Sequence, residues 1–154
     1  MAAGTGAREA GWLMLNRLQL NKALRLMLET GIGKPVGMNG FPTTAGGLPV
    51  PGQFVVLYAI PPSTFDGPPL ADGHADATWS YQATCVGQRE DQLTWLGDKV
   101  RTVLLGRNAA GWVTPLVAPG MSVMDREHTG DSPIVSEGEL LSYAELFTMK
   151  VTPA

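Results

Sequence analysis

An α+β fold, a small and mostly antiparallel sheet of about four strands packed by two helices, is predicted by three features of the sequence. One segment alternates apolar and polar residues, two others carry apolar stripes at helical spacing, and Gly- and Pro-rich stretches separate them. The 154-residue chain, 44% hydrophobic and with mean hydropathy near zero, is sized for one domain with a buried core. Residues 14–154 are read as that single domain. Residues 1–13 show no packing pattern and are read as a flexible tail.

The first element is a helix, in which Leu13, Leu20, Leu24, Met27 and Leu28 recur at helical spacing and leave Arg17, Lys22 and Arg25 for solvent. Asn16 or Asn21 is the expected N-cap, and Gly31 or Gly33 the stop. Half of residues 31–52 are Gly or Pro, too many for a regular element to persist, and Phe41, Leu48 and Val50 are expected to tack this loop to the core. Gln53 to Ile60 reads as a buried strand closed by Pro61-Pro62, followed by a second loop from Pro61 to Asp76. Ala77 to Val86 is the clearest strand, with Trp79, Tyr81, Ala83 and Cys85 on one face and Thr78, Ser80, Gln82 and Thr84 on the other.

The second helix spans Arg89 to Leu105, with Leu93, Leu96, Val100 and Leu104 as its apolar stripe and Gly97 allowing a close approach to the sheet. Glu90 and Asp91 in its first turn, and Arg101 and Arg107 near its end, suit the helix dipole; Gly106 stops it. Met121 to Arg126 is read as a strand, His128 to Glu139 as a polar loop, and Tyr143 to Thr152 as the closing strand. Glu145 falls among the apolar positions of that strand, which predicts a bulge or a later start. The order of elements is therefore α-β-β-α-β-β.

The net charge of −3 argues against general nucleic-acid binding, which needs a basic face. The charge is unevenly spread, residues 1–60 summing to +3 and residues 61–154 to −6; most of these charges are read as solvating the surface, with head-to-tail contact between copies as the alternative. No apolar run is long enough to cross a bilayer, and the first residues lack the pattern of a secretory signal, so synthesis inside the cell is expected. The single cysteine, Cys85, agrees with that expectation.

Chemistry is scarce. Thr30-Gly31-Ile32-Gly33-Lys34-Pro35 suggests a phosphate loop, but Leu28 stands where the first glycine belongs and Pro35 replaces the magnesium-binding hydroxyl. His74 lies between Asp72 and Asp76, and His128 near Glu127 and Asp131; both groups fall in segments read as loops, where turn chemistry and solubility explain them. Cys85 sits mid-strand on the apolar face, where a thiol is inert, and no nucleophile elbow occurs. No catalytic set, cofactor or metal is expected. Trp79 belongs to the core by its alternation, whereas Trp95, beside the stripe of the second helix, and Trp112, in a Gly-flanked segment, are candidate interface anchors.

The strand Trp79-Ser80-Tyr81-Gln82-Ala83-Thr84-Cys85-Val86-Gly87 leads through Gln88-Arg89-Glu90-Asp91-Gln92 into the helix Leu93-Thr94-Trp95-Leu96-Gly97-Asp98-Lys99-Val100-Arg101. With the closing Met149-Lys150-Val151-Thr152-Pro153, this resembles the tail terminator proteins of long-tailed, non-contractile (siphovirus-type) bacteriophages. Asn16 to Arg25 and the Phe54-Val55-Val56-Leu57-Tyr58 strand fit the same pattern, so the resemblance spans most of the chain from Asn16 onward. It implies a tail-terminator-like fold and a hexameric homo-oligomeric ring at the head-proximal end of the tail tube. Such a ring ends tube polymerisation and presents a surface to the head–tail connector proteins. The implied partners are the protein itself, the tail tube protein and the connector, with neither membrane nor nucleic-acid sequence recognised. The loops at 31–52, 61–76 and 128–139 are the expected contact regions, with Phe65, Asp66 and His74, and Arg126, Glu127 and His128, as candidate interface residues. The alternatives are a connector or minor tail protein of similar fold, or a small-molecule-binding or enzymatic α+β domain with a pocket between sheet and helices.

Overall fold

The computed structural model describes residues 15–48, 50–66 and 76–154, with only the backbone at 62, 63, 65 and 66. The expected tail at residues 1–13 therefore lies outside the described residues. Helix α1 (Arg17–Ile32) begins at Asn16, whose side chain accepts a hydrogen bond from the Leu18 N–H at 3.0 Å. It ends at Gly33, which takes the left-handed φ of 77° that closes a helix without strain only at glycine. Leu20, Leu24, Met27 and Leu28 are buried, as their spacing requires.

The chain then forms a strand where none was expected. β1 (Val36–Met38) pairs in parallel with β2 (Phe54–Asp66), Val36 lying opposite Val55. Glycine makes this possible: a side chain on Gly37 would collide with the Gly40 carbonyl and come within 2.7 Å of the Pro42 nitrogen. Asn39, at φ 58°, turns the chain and accepts from the Ala59 N–H at 3.3 Å. Of the residues expected to tack the following loop down, Phe41 packs edge-on against Phe54 at 5.1 Å, whereas Leu48 stays exposed.

β2 does not stop at Pro61-Pro62. Its ladder with β3 (Asp76–Gly87) shifts register between Ile60 and Ser63, so both prolines sit in the irregularity, where their missing N–H groups break no pairing. The strand continues to Asp66 through the first part of the expected loop. β3 alternates as its sequence does, with Trp79, Tyr81, Ala83 and Cys85 buried.

Helix α2 (Glu90–Leu105) buries Leu93, Leu96, Gly97, Val100 and Leu104. Its start is held by Gln92, whose Oε1 accepts from the N–H groups of Gln88 at 2.8 Å and Arg89 at 3.3 Å. A short hairpin of β4 (Arg107–Asn108) and β5 (Gly111–Trp112) follows, and then β6 (Met121–Asp131), β7 (Val135–Glu137) and β8 (Leu140–Pro153). The expected polar loop at 128–139 is thus mostly strand. Its residues lie along a sheet edge, where side chains on the open side stay wet and polar composition does not signal a loop. Ser132 continues the pairing across the gap, its N–H reaching the Ala144 carbonyl at 2.9 Å.

The main sheet runs β1-β2-β3-β8-β6, with β7 also paired to β8, and every pairing except β1–β2 is antiparallel. The fold is α+β. Its four long strands, β2, β3, β6 and β8, are those expected, and both helices share one core with a single face of the sheet. On the other face the described residues form a small cluster of Phe54, Val56 and Val86. No helix among the described residues is long and apolar enough to cross a membrane.

Candidate interface

Strand register brings Glu145 of β8 opposite Ala83, on the helix-covered face, where it is 0% exposed. A bare carboxylate there would be prohibitively costly, and the fold sets Arg101 and His128 against it. Arg101 of α2 donates to its Oε1 at 2.7 Å, and His128 of β6 lies 3.1 Å from the same oxygen. Arg101 also pairs with Asp98 one turn back on the helix. The hydrogen bond to Glu145 drives the Arg101 pKa up despite partial burial. The bulge expected at Glu145 does not occur: β8 is continuous through it, and the irregularities fall in the facing β6, between Val123 and Asp125 and between His128 and Gly130. The charge is neutralised rather than turned away.

Next to this pair, Tyr143 lies opposite Cys85. Burial, then the nearby Glu145, pushes the Cys85 thiol up to about 12. Burial, with Cys85 and Glu145 beside it, pushes Tyr143 up to about 12. A thiol that stays protonated and is closed to solvent is no nucleophile. Arg101, Glu145 and His128 together tie α2, β8 and β6 to one another.

A second network fixes the segment after α2. Arg126 is buried, donating to the Leu104 carbonyl at 3.2 Å and to the Thr114 carbonyl at 2.8 Å, and burial lowers its pKa. It thereby satisfies a C-terminal carbonyl of α2 and pins the loop beyond. Its guanidinium lies over the Trp112 ring at 4.7 Å, and that of Arg107 over the same ring at 4.6 Å. Arg17, expected in solvent, is also drawn inward: it donates to the Ile60 carbonyl at 3.4 Å and to the Ser80 carbonyl, and lies 4.7 Å over Tyr81.

The candidate interface residues therefore separate. Trp95 is 40% exposed on α2, with the Lys34 and Lys99 ammonium groups 6.0 and 5.5 Å from its ring centre. Glu127 is exposed on β6. His128 packs edge-on to Phe147 at 5.3 Å while its Nε2 serves Glu145. Trp112 is half-buried under its two arginines, and Arg126 is turned into the domain by the register of β6 rather than displayed. Phe65 and Asp66 end β2, paired through their backbones with Ala77 and Asp76, and their side chains lie outside what is described. His74 lies outside the described residues.

Two surfaces were missed in the sequence. An apolar groove of about 360 Å³ opens between α1 and residues 114–117, lined by Ala23, Leu26, Met27, Gly31, Leu116 and Val117, with Thr30 and Thr114 as its hydroxyl side chains. The groove joins a helix to a loop, whereas a small-molecule domain was expected to place its pocket between sheet and helices. The second surface is the β6–β7 edge, where Met124, Ile134 and Val135 are exposed. Among the described residues, no group of three or more His, Cys, Asp or Glu is placed to hold a metal ion.

No family model matches the chain, and no curated protein matches it. Solved structures do. A chain of the "Virion of native gene transfer agent (GTA) particle" superposes with a TM-score of 0.56 at 14% identity, covering 88% of this chain and 93% of that one. A second solved structure, whose name conveys no function, superposes with a TM-score of 0.54 at 13% identity over 90% of this chain and 92% of its own. At such identities the likeness is one of fold, extending over nearly the whole of each chain, and one of the proteins that share it comes from a virion.

Proposed function

We propose that this chain is a structural, non-enzymatic protein of a phage-like virion, and that within the virion it is the tail terminator. In this reading it forms a hexameric ring on the head-proximal end of the tail tube, ends tube polymerisation and offers the head–tail connector its joining surface. It would be assembled in the host cytoplasm and act in the finished particle. The observation that carries the reading is the end-to-end fold likeness to a chain of a virion particle, with 88% of this chain aligned. The sequence resemblance drawn from the β3–α2 segment points the same way. So does the disposition of the polar groups: the buried charges are consumed in holding strands and helices together, while Trp95 and the β6–β7 edge remain available to partners.

The test is reconstitution with purified tail tube protein under conditions in which tubes grow. A terminator binds one end of each tube as a ring and stops elongation there, so added protein shortens the tubes and leaves a cap visible by negative staining. Tubes that grow undiminished and uncapped at saturating protein would overturn the terminator role. If the protein instead joined isolated heads without affecting tubes, it would be a connector.

A further inference from the structure

The groove and the β6–β7 edge differ in shape and in charge. Leu26, 57% exposed, and Val117, 81% exposed, form the lips of the groove. Beside it on α1, Lys22, one turn from Leu26 on the same face, is exposed. At the β6–β7 corner the apolar side chains are Ile134 and Val135, the latter 51% exposed, and they stand among exposed Asp131, Glu137 and Glu139. β6 and β7 both pair only with β8 among the described residues, so the outer backbone edge of this acidic corner has no strand against it. One surface is a concave apolar slot with a lysine beside it. The other is an exposed apolar pair among acidic side chains.

We infer that Ile134 and Val135 of one copy seat in the groove between α1 and residues 114–117 of the next copy, with Asp131, Glu137 and Glu139 meeting Lys22. The occupant is a second copy of this chain because a single sequence carries both halves of a complementary pair, and each half stays exposed in the isolated protomer. The contact is heterologous: each copy gives its corner to one neighbour and its groove to the other, which generates a closed ring or an open filament. This inference rests on the ring-subunit reading and adds to it which surfaces meet.

Two variants that each add one cysteine, Val117→Cys and Val135→Cys, test it when prepared separately and mixed under mild oxidation. Cys85 is buried and does not compete. A disulfide-linked pair is expected from the mixture and not from either variant alone. Independently, Lys22→Glu and Glu137→Lys should each weaken self-association about tenfold, and the double variant should regain most of it, since both charges of the contact are then exchanged. Three results would overturn the inference. Oligomers that form without the cross-link, and ignore the charge exchange, mean that copies meet elsewhere and leave the ring reading intact. Protection of the Val117→Cys thiol from alkylation by tube protein, and not by self-association, assigns the groove to that partner. A monomer at every concentration that binds no tube end removes both this contact and the ring.

Discussion

Glu145 is the residue on which most of the internal electrostatics turns. It is fully enclosed, whereas its partner Arg101 is 37% exposed, so the two sides of the pair are unequal. Removing the arginine leaves the buried carboxylate with only the His128 ring beside it, and removing the carboxylate leaves a guanidinium that can turn to water. Arg101→Met is therefore expected to cost about 3 kcal/mol in urea unfolding and Glu145→Leu distinctly less. The double variant should regain most of the Arg101→Met loss; a double-variant loss equal to the sum of the two single losses would show that the pair is not coupled. Cys85 gives a second test at this scale. The unfolded thiol releases its proton near its usual 9.0, while the folded one holds it to about 12. The folded state thus binds more protons in that window, and stability falls as pH rises through it, by up to ~1.4 kcal/mol per pH unit from this group. Cys85→Ala should flatten that fall in unfolding curves taken from pH 8 upward; an unchanged slope would assign it elsewhere, with Tyr143 as the next group to test. Glu145 was visible in the sequence as an anomaly in an alternating strand, but its partners were not, because they come from α2 and β6 and only the folded register brings them together. The burial of Arg126 was hidden for the same reason.

Between elements, the tightest fit is α2 against β8. A side chain on Gly97 would collide with the Tyr143 hydroxyl and lie 2.7 Å from its ring carbon. Gly97→Ala should therefore destabilise by about 2 kcal/mol despite its better helix propensity. Tyr143→Phe removes the worst of the collision, so Gly97→Ala should cost measurably less in that background; an equal cost would mean that Gly97 matters for another reason. The close approach at Gly97 was legible, as were the stripe of α2 and the alternation of β3, because each is a local pattern with one buried side. β1 and β7 were not. Each has three residues, one embedded among glycines and prolines and the other wholly exposed, and neither carries a periodic signal. β2 was cut short for a related reason: two adjacent prolines read as a stop unless a bulge absorbs them.

Over the whole molecule, the charge asymmetry seen in the sequence acquires a location. The basic side chains of the first part lie largely on α1, and a concentration of acids lies along β6 and the β7 hairpin. The groove was not legible, since it joins a helix to a loop far from it in the chain and only folding makes them neighbours. The architecture itself was legible in its long elements, and the same architecture is what the chain shares with a virion protein. Whether it assembles as a ring subunit must is decided most directly by native mass measured over a wide range of protein concentration, with negative-stain imaging of the largest species. The account predicts closed rings of a single small copy number, which shift toward protomers on dilution. A strict monomer at every concentration, equally unable to cap tube ends, would contradict it.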